Sequence, residues 1–179
     1  MIVVFLDRDG VINRNSDDYV KTCDELIFLP RALEGLAKLK AARVTTVVVS
    51  NQAGIGRGLI DPAELERINR KILQAVSECG GEIAGFYYCP HRKDEGCGCR
   101  KPNIGLFKKA GEDLGFDPSE AYFVGDAESD VEAGHRLGCK TVLVLTGRTS
   151  IEDVQCWEYK PAHIAADLPS AVDWILAAH

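Results

Sequence analysis

Short apolar runs recur along this chain, and amphipathic stretches separate them. Ile2–Leu6 (IVVFL), Val44–Ser50 (VTTVVVS), Ile83–Cys89 (IAGFYYC), Ala121–Asp126 (AYFVGD) and Thr141–Gly147 (TVLVLTG) are rich in β-branched and aromatic residues. Runs of this length with little polar alternation are the pattern of strands covered on both faces. Between them, Leu29–Arg43, Asp61–Gly81, Asn103–Gly115 and Glu128–Gly138 place apolar residues three and four apart, as one face of a helix requires. Pro30 falls in the first turn of the first, Asp61 and Pro62 open the second, and Gly115 closes the third, which suits helix-cap chemistry. Leu168–Ala178 reads as a closing helix after a weaker strand at His163–Ala166. Strands joined through helices pair in parallel by right-handed crossovers. The expected fold is α/β, a doubly wound, Rossmann-like parallel sheet.

Ligands of such sheets sit beyond the carboxyl ends of the strands. Asp7 and Asp9 end the first run, Ser50 and Asn51 the second, and Gly125 and Asp126 the fourth, so all should meet in one crevice. A strand period of two would put Asp7 and Asp9 on one face. At ~4 Å and an effective dielectric of ~20 their repulsion is worth roughly 4 kcal/mol. A magnesium ion, which takes one or two carboxylates together with phosphate oxygens and waters, would offset it. Arg100 and Lys101 stand just before a helix whose N-terminal amides also favour an anion. Ser50 offers a hydroxyl suited to a phosphoryl oxygen. Together these groups describe phosphoryl transfer.

The chain has 179 residues, 46% of them hydrophobic, enough for one substantial core, and residues 1–179 are expected to form a single domain. A net charge of −6 without a basic stripe argues against a nucleic-acid partner. No apolar stretch reaches the ~18 residues of a membrane span. The chain runs straight into IVVFLD with no basic n-region or small-residue cleavage site, so a cytoplasmic location is expected.

Seven cysteines, an odd number, fit poorly with a full set of internal disulfides. Cys23, Cys79, Cys139 and Cys156 are scattered and read as ordinary thiols. Cys89, His91, Cys97 and Cys99 instead form a C-x-H-x5-C-x-C pattern. Four such ligands in two close pairs suit tetrahedral zinc with no position left open for water, hence a structural site. A Cys97–Cys99 disulfide is the competing reading, but one intervening residue strains its geometry. The loop leads directly into Arg100 and Lys101, so ordering it would position both.

Four elements in order, DRDG, VVVSN, RKP and VGDAESD, resemble the haloacid dehalogenase-like phosphatases. The resemblance implies that Asp7 is a nucleophile forming an aspartyl-phosphate and that Asp9 is the acid–base. It further implies that Lys101 neutralises the phosphoryl charge, that Ser50, Asn51 and Gln52 bind substrate, and that Asp126 joins Asp7 and Asp9 around magnesium. Asp130 could hold metal-bound water or simply cap its helix. DRDGVIN, Tyr19–Val20, SNQAGIGRG, YYCPH and CGCRKP narrow the resemblance to the D-glycero-D-manno-heptose 1,7-bisphosphate 7-phosphatases and the related histidinol-phosphate phosphatase domain. There Arg57 and Arg100 are expected to meet the substrate. Ala127 is a departure, since lysine or another polar residue can follow the equivalent of Asp126.

About forty residues separate Asp9 from Ser50, too few for a separate cap domain. The site should be covered only by the loops Asn13–Val20 and Ala53–Leu59 and by the zinc-binding loop. The leading expectation is hydrolysis of the 7-phosphate of a phosphorylated sugar, a heptose bisphosphate, supplying nucleotide-activated heptose for cell-surface glycans. Histidinol phosphate is the alternative, and a monomer acting on small molecules is expected. A polynucleotide 3′-phosphatase is disfavoured by the acidic balance. A zinc-organised binding module with a decayed crevice is disfavoured because Asp7, Asp9, Lys101 and Asp126 are all present.

Overall fold

The computed structural model describes residues 1–179. Its strands are β1 (Val3–Leu6), β2 (Thr45–Asn51), β3 (Gly85–Cys89), β4 (Tyr122–Gly125), β5 (Lys140–Val144) and β6 (His163–Ala165). All pair in parallel, in the order β3-β2-β1-β4-β5-β6. The helices are α1 (Ala32–Ala41), α2 (Ala53–Gly56), α3 (Pro62–Glu78), α4 (Gly105–Leu114), α5 (Glu128–Leu137), α6 (Ile151–Cys156) and α7 (Leu168–Ala177). The expected doubly wound sheet is present, and the order reverses between β1 and β4. No helix is long and apolar enough to cross a membrane.

Both faces of the sheet are covered. Val4, Leu6, Val48 and Val124 pack against Leu36 and Leu39 of α1, Ile68 and Ile72 of α3, and Val172 and Ile175 of α7. Val3, Phe5, Val47, Val49 and Phe123 face Leu106, Phe107 and Ala110 of α4 and Ala133 and Leu137 of α5. Phe107 stands edge-on to Phe5 and Phe123, with ring centroids 4.9 and 5.0 Å away, pairs worth ~0.5–1.5 kcal/mol beyond their burial. This double covering explains why β1, β2 and β4 are apolar without alternation.

Helix ends follow local chemistry. Asp61 accepts from the Ala63 amide at 2.8 Å with Pro62 in the first turn of α3, a cap worth ~1 kcal/mol. Gly115 and Gly138 close α4 and α5 with φ of 74° and 84°, a conformation that favours glycine. Pro30 lies outside α1, contrary to expectation. Arg31 adopts φ 61° there, and its guanidinium pairs with Glu34 and Asp167, so the helix starts at Ala32, two residues after Pro30. The short α6 has no counterpart in the sequence reading.

Between β1 and α1 the chain forms only loop, with a single 3-10 turn at Cys23–Glu25 and isolated bridges from Asn13 to Asp9 and Phe28. No separate cap domain covers the sheet's carboxyl end.

Candidate active site

The reversal of strand order opens a crevice beyond β1 and β4. It has a volume of about 330 Å³, and Asp7, Asp9, Asn51, Arg100, Lys101 and Asp126 are among the residues lining it. A second cavity of about 650 Å³, bordered by Arg92, Lys93 and Arg136, shares Asn51, Arg100 and Lys101 with it.

Lys101 is the electrostatic centre. Its side chain is 1% exposed, and its ammonium lies 2.9 Å from Asp7 Oδ1, 2.8 Å from Asp130 Oδ1 and 3.0 Å from the Val49 carbonyl. Burial would favour the neutral amine, but the Asp130 and Asp7 carboxylates raise its pKa above the ordinary lysine value. Asn51 holds the main chain at this point from both sides. Its Oδ1 accepts from the Lys101 amide at 2.9 Å and its Nδ2 donates to the Lys101 carbonyl at 3.2 Å.

The two aspartates of DRDG diverge. Asp7 turns to Lys101, whereas Asp9 accepts from Arg8, Asn13 and Gln52. The strand ends at Leu6 and Gly10 takes φ 85°, so the period of two does not persist through Asp9. Their mutual repulsion is therefore offset by two separate cations as well as by any metal. Burial still raises the Asp7 pKa, opposed by Lys101 and reinforced by Asp130, Asp126 and Asp9.

Asp126 and Asp130 come from the end of β4 and the first turn of α5. Burial, with the neighbouring Asp130 carboxylate, pushes Asp126 up to about 7. Asp130 Oδ2 accepts from the Asp126 and Ala127 amides at 3.1 and 3.2 Å, and Oδ1 forms an ion pair with Lys101. Carboxylate oxygens of Asp7, Asp126 and Asp130 lie within 4.8 Å of one another. An all-oxygen donor set, in which burial first and neighbouring carboxylates second raise the Asp7 and Asp126 pKa values, suits a hard divalent cation such as magnesium.

Ser50 is not brought to this set. Strand alternation directs Asn51 into the crevice and Ser50 to the other face. There its buried hydroxyl accepts from Gln52 Nε2 at 2.8 Å. Gln52, 2% exposed, also donates to Asp9, so it reaches the site through that carboxylate. Arg57, just past α2, is exposed and lines neither cavity. Arg100 lines both, and its Nη1 makes a long contact of 3.4 Å to the His91 carbonyl.

Sequence reasoning missed the segment after β5. Thr149 Oγ1 donates to the Asp126 carbonyl at 2.6 Å, and Thr146 Oγ1 donates to the Gly10 carbonyl at 2.7 Å. Gly147 is so close to Asp126 that a Cβ would overlap its carboxylate. The available signal was a TG pair at the end of the fifth apolar run, where ligand-facing loops belong.

Cys89 Sγ, His91 Nδ1, Cys97 Sγ and Cys99 Sγ converge, with separations of 3.4, 3.5, 3.2, 3.1 and 3.4 Å among their recorded pairs. A tetrahedral ion with ~2.3 Å metal–sulfur bonds needs edges of roughly 3.5–3.8 Å, so small outward shifts would admit one. The cysteines are free, and a 3.4 Å gap between Cys97 and Cys99 is far beyond the ~2.05 Å of a disulfide. Against a burial penalty, the Arg100 amide and the neighbouring thiols draw the Cys97 pKa below the usual thiol range.

Residues 98–171 match a family model described as HAD-hydrolase-like. The chain is 47% identical over 146 residues to the D-glycero-beta-D-manno-heptose-1,7-bisphosphate 7-phosphatase of Pseudomonas aeruginosa, covering 82% of each chain. It is 38% identical to the D-glycero-D-manno-heptose-1,7-bisphosphate 7-phosphatase of Chlorobaculum tepidum, over 95% of this chain and 92% of that one. The crystal structure of D,D-heptose 1,7-bisphosphate phosphatase from B. bronchiseptica, complexed with magnesium and phosphate, superposes with a TM-score of 0.93. Its identity is 35%, and all of both chains is covered.

Proposed function

The chain belongs to the haloacid dehalogenase-like phosphatases, and within them to the heptose-1,7-bisphosphate 7-phosphatases; from that membership we propose that it removes the 7-phosphate of D-glycero-D-manno-heptose 1,7-bisphosphate. The relatives do not support the histidinol-phosphate alternative. The observation that carries the reading is the buried Lys101 held against Asp7 in the wall of a crevice that Asp9 and Asp126 also line.

In this reading residues 1–179 act as one phosphatase domain. Asp7 attacks phosphorus and becomes an aspartyl-phosphate, while Asp9 gives a proton to the leaving sugar oxygen. Asp9 then takes a proton from the water that cleaves the intermediate and frees phosphate. Lys101 offsets the charge on Asp7 and on the phosphoryl oxygens, and Asp130 keeps that ammonium in place. Magnesium held by Asp7, the Asp9 main-chain carbonyl and Asp126 would neutralise phosphoryl charge. Zinc held by Cys89, His91, Cys97 and Cys99 would order the loop carrying Arg100 and Lys101.

Arg100, and Arg57 by reorientation from its exposed position, would face the far phosphate of the substrate. Such a charge-assisted contact is worth ~1.5–3 kcal/mol, or about 10- to 150-fold in specificity. A monomer in the cytoplasm, serving nucleotide-activated heptose synthesis, completes the proposal.

A phosphate-release assay with magnesium tests it. The heptose bisphosphate should give a kcat/KM well above that of histidinol phosphate, and Arg57→Ala should narrow the gap. Asp7→Asn should abolish turnover in a folded protein. A better rate on histidinol phosphate would overturn the substrate, and Asp7→Asn activity within about tenfold of wild type would overturn the chemistry.

A further inference from the structure

Arg8 stands between the two crevice aspartates in sequence, but it does not line the crevice. It is 1% exposed, the largest of the fully buried side chains. It borders a space of about 10 Å³ walled by Val48, Ser50, Gln52, Leu65 and Asn69 among others. Its Nη2 donates to both Asp9 oxygens, at 2.8 and 3.1 Å, while Nε and Nη1 have no hydrogen-bond partner. Asp9 is the one carboxylate within ion-pair distance. A guanidinium this desolvated is costly unless an anion meets it, so the fold has reason to hold Asp9 here.

Two further donors converge on the same group. Gln52 Nε2 reaches Asp9 Oδ2 at 2.9 Å, and Asn13 Nδ2 reaches Asp9 Oδ1 at 2.8 Å. Gln52 and Asn13 are 2% and 0% exposed. Asp9 is 26% exposed, and it is the member of this cluster that lines the crevice. Three buried side chains therefore grip one carboxyl from behind and leave its remaining surface to the substrate.

We propose that Arg8 is a positioning residue for Asp9. With Gln52 and Asn13 it sets the plane and depth at which the carboxyl faces the leaving oxygen. This deepens the acid–base role proposed above and rests on it. Nη2 meets both carboxylate oxygens from the end of a planar group that fills this buried space, a shape that lysine's slimmer ammonium does not reproduce. Loss of that grip should degrade proton delivery while leaving Asp7, Lys101 and phosphate binding intact.

The test compares kcat/KM for the heptose bisphosphate, whose alkoxide must be protonated, with p-nitrophenyl phosphate, whose phenolate leaves without a proton. Arg8→Lys should lose ~10- to 100-fold on the sugar ester and stay within about threefold on the aryl ester. Gln52→Met, which removes one arm without charging the interior, should lose less with the same selectivity, and it decides alone if Arg8→Lys does not fold. Equal losses on the two esters, or no loss on the sugar ester, overturn the proposal. Asp9→Asn is the internal control, and an unselective loss there removes the acid–base role itself. If the wild-type enzyme prefers another alkyl phosphate, only the substrate assignment fails, and the same comparison runs on that ester.

Discussion

Lys101 and Asp130 form an ion pair of 2.8 Å with side chains only 1% and 2% exposed. Asp130 also caps α5 through its other oxygen. Asp130→Ala should therefore cost ~2–3 kcal/mol, because Lys101 keeps Asp7 but loses its other buried carboxylate, and α5 loses its cap. Asp130→Asn keeps a cap acceptor and removes the charge. It should lower activity more than stability, a split that thermal unfolding beside phosphate release would resolve.

Chelated protein should lose stability as pH rises. Asp126 titrates at about 7 in the fold, raised first by burial and then by Asp130, and Asp7 is raised as well. An unfolded aspartate titrates near ~3.9, so the folded state binds more protons between about pH 4 and 7. Stability from these groups is present below pH 4 and is lost through pH 7. Magnesium should reverse this by favouring the ionised carboxylates, so its effect on Tm should grow from pH 5 to pH 8. A magnesium effect that shrinks over that range would refute the metal assignment.

One zinc per chain should survive purification in metal-free buffer. Removing it should loosen Cys89–Lys101 and lower activity while the parallel sheet remains. Structural zinc carries ~10–16 kcal/mol of apparent binding in isolated peptides, enough to order a loop of this size. Elemental analysis together with hydrogen exchange over the loop checks both halves, and zinc-free protein with full activity contradicts them.

Gly147→Ala should lower activity at least as much as it lowers stability, since the added methyl collides with the Asp126 carboxylate. A metal titration of the variant should show weakened magnesium affinity. Unchanged affinity would mean that Asp126 can withdraw without consequence.

The sheet was legible because its strands are buried on both faces and therefore write uninterrupted apolar runs. Asp7 and Asp126 could be placed because each follows a strand at the sheet's carboxyl edge, and Lys101 because it stands just before a helix. Ser50 could not, since its face depends on a register that only the paired strands fix. Arg8 went unremarked, and nothing local says that an arginine will be buried. Arg31 set the start of α1 by adopting a left-handed turn and by pairing with Asp167, a partner 136 residues away. Thr149 and Gly147 matter only through contact with Asp126.

The strand order also governs how the chain emerges during synthesis. β1 is made first yet ends in the middle of the sheet, between β2 and β4. From Leu6 until Tyr122 is translated, one edge of its Val-Val-Phe-Leu run has no partner. An unpaired apolar edge is a template for association between nascent chains. Substitutions that delay the docking of β4 should therefore appear first as insoluble protein, with the soluble fraction turning over at nearly the normal rate.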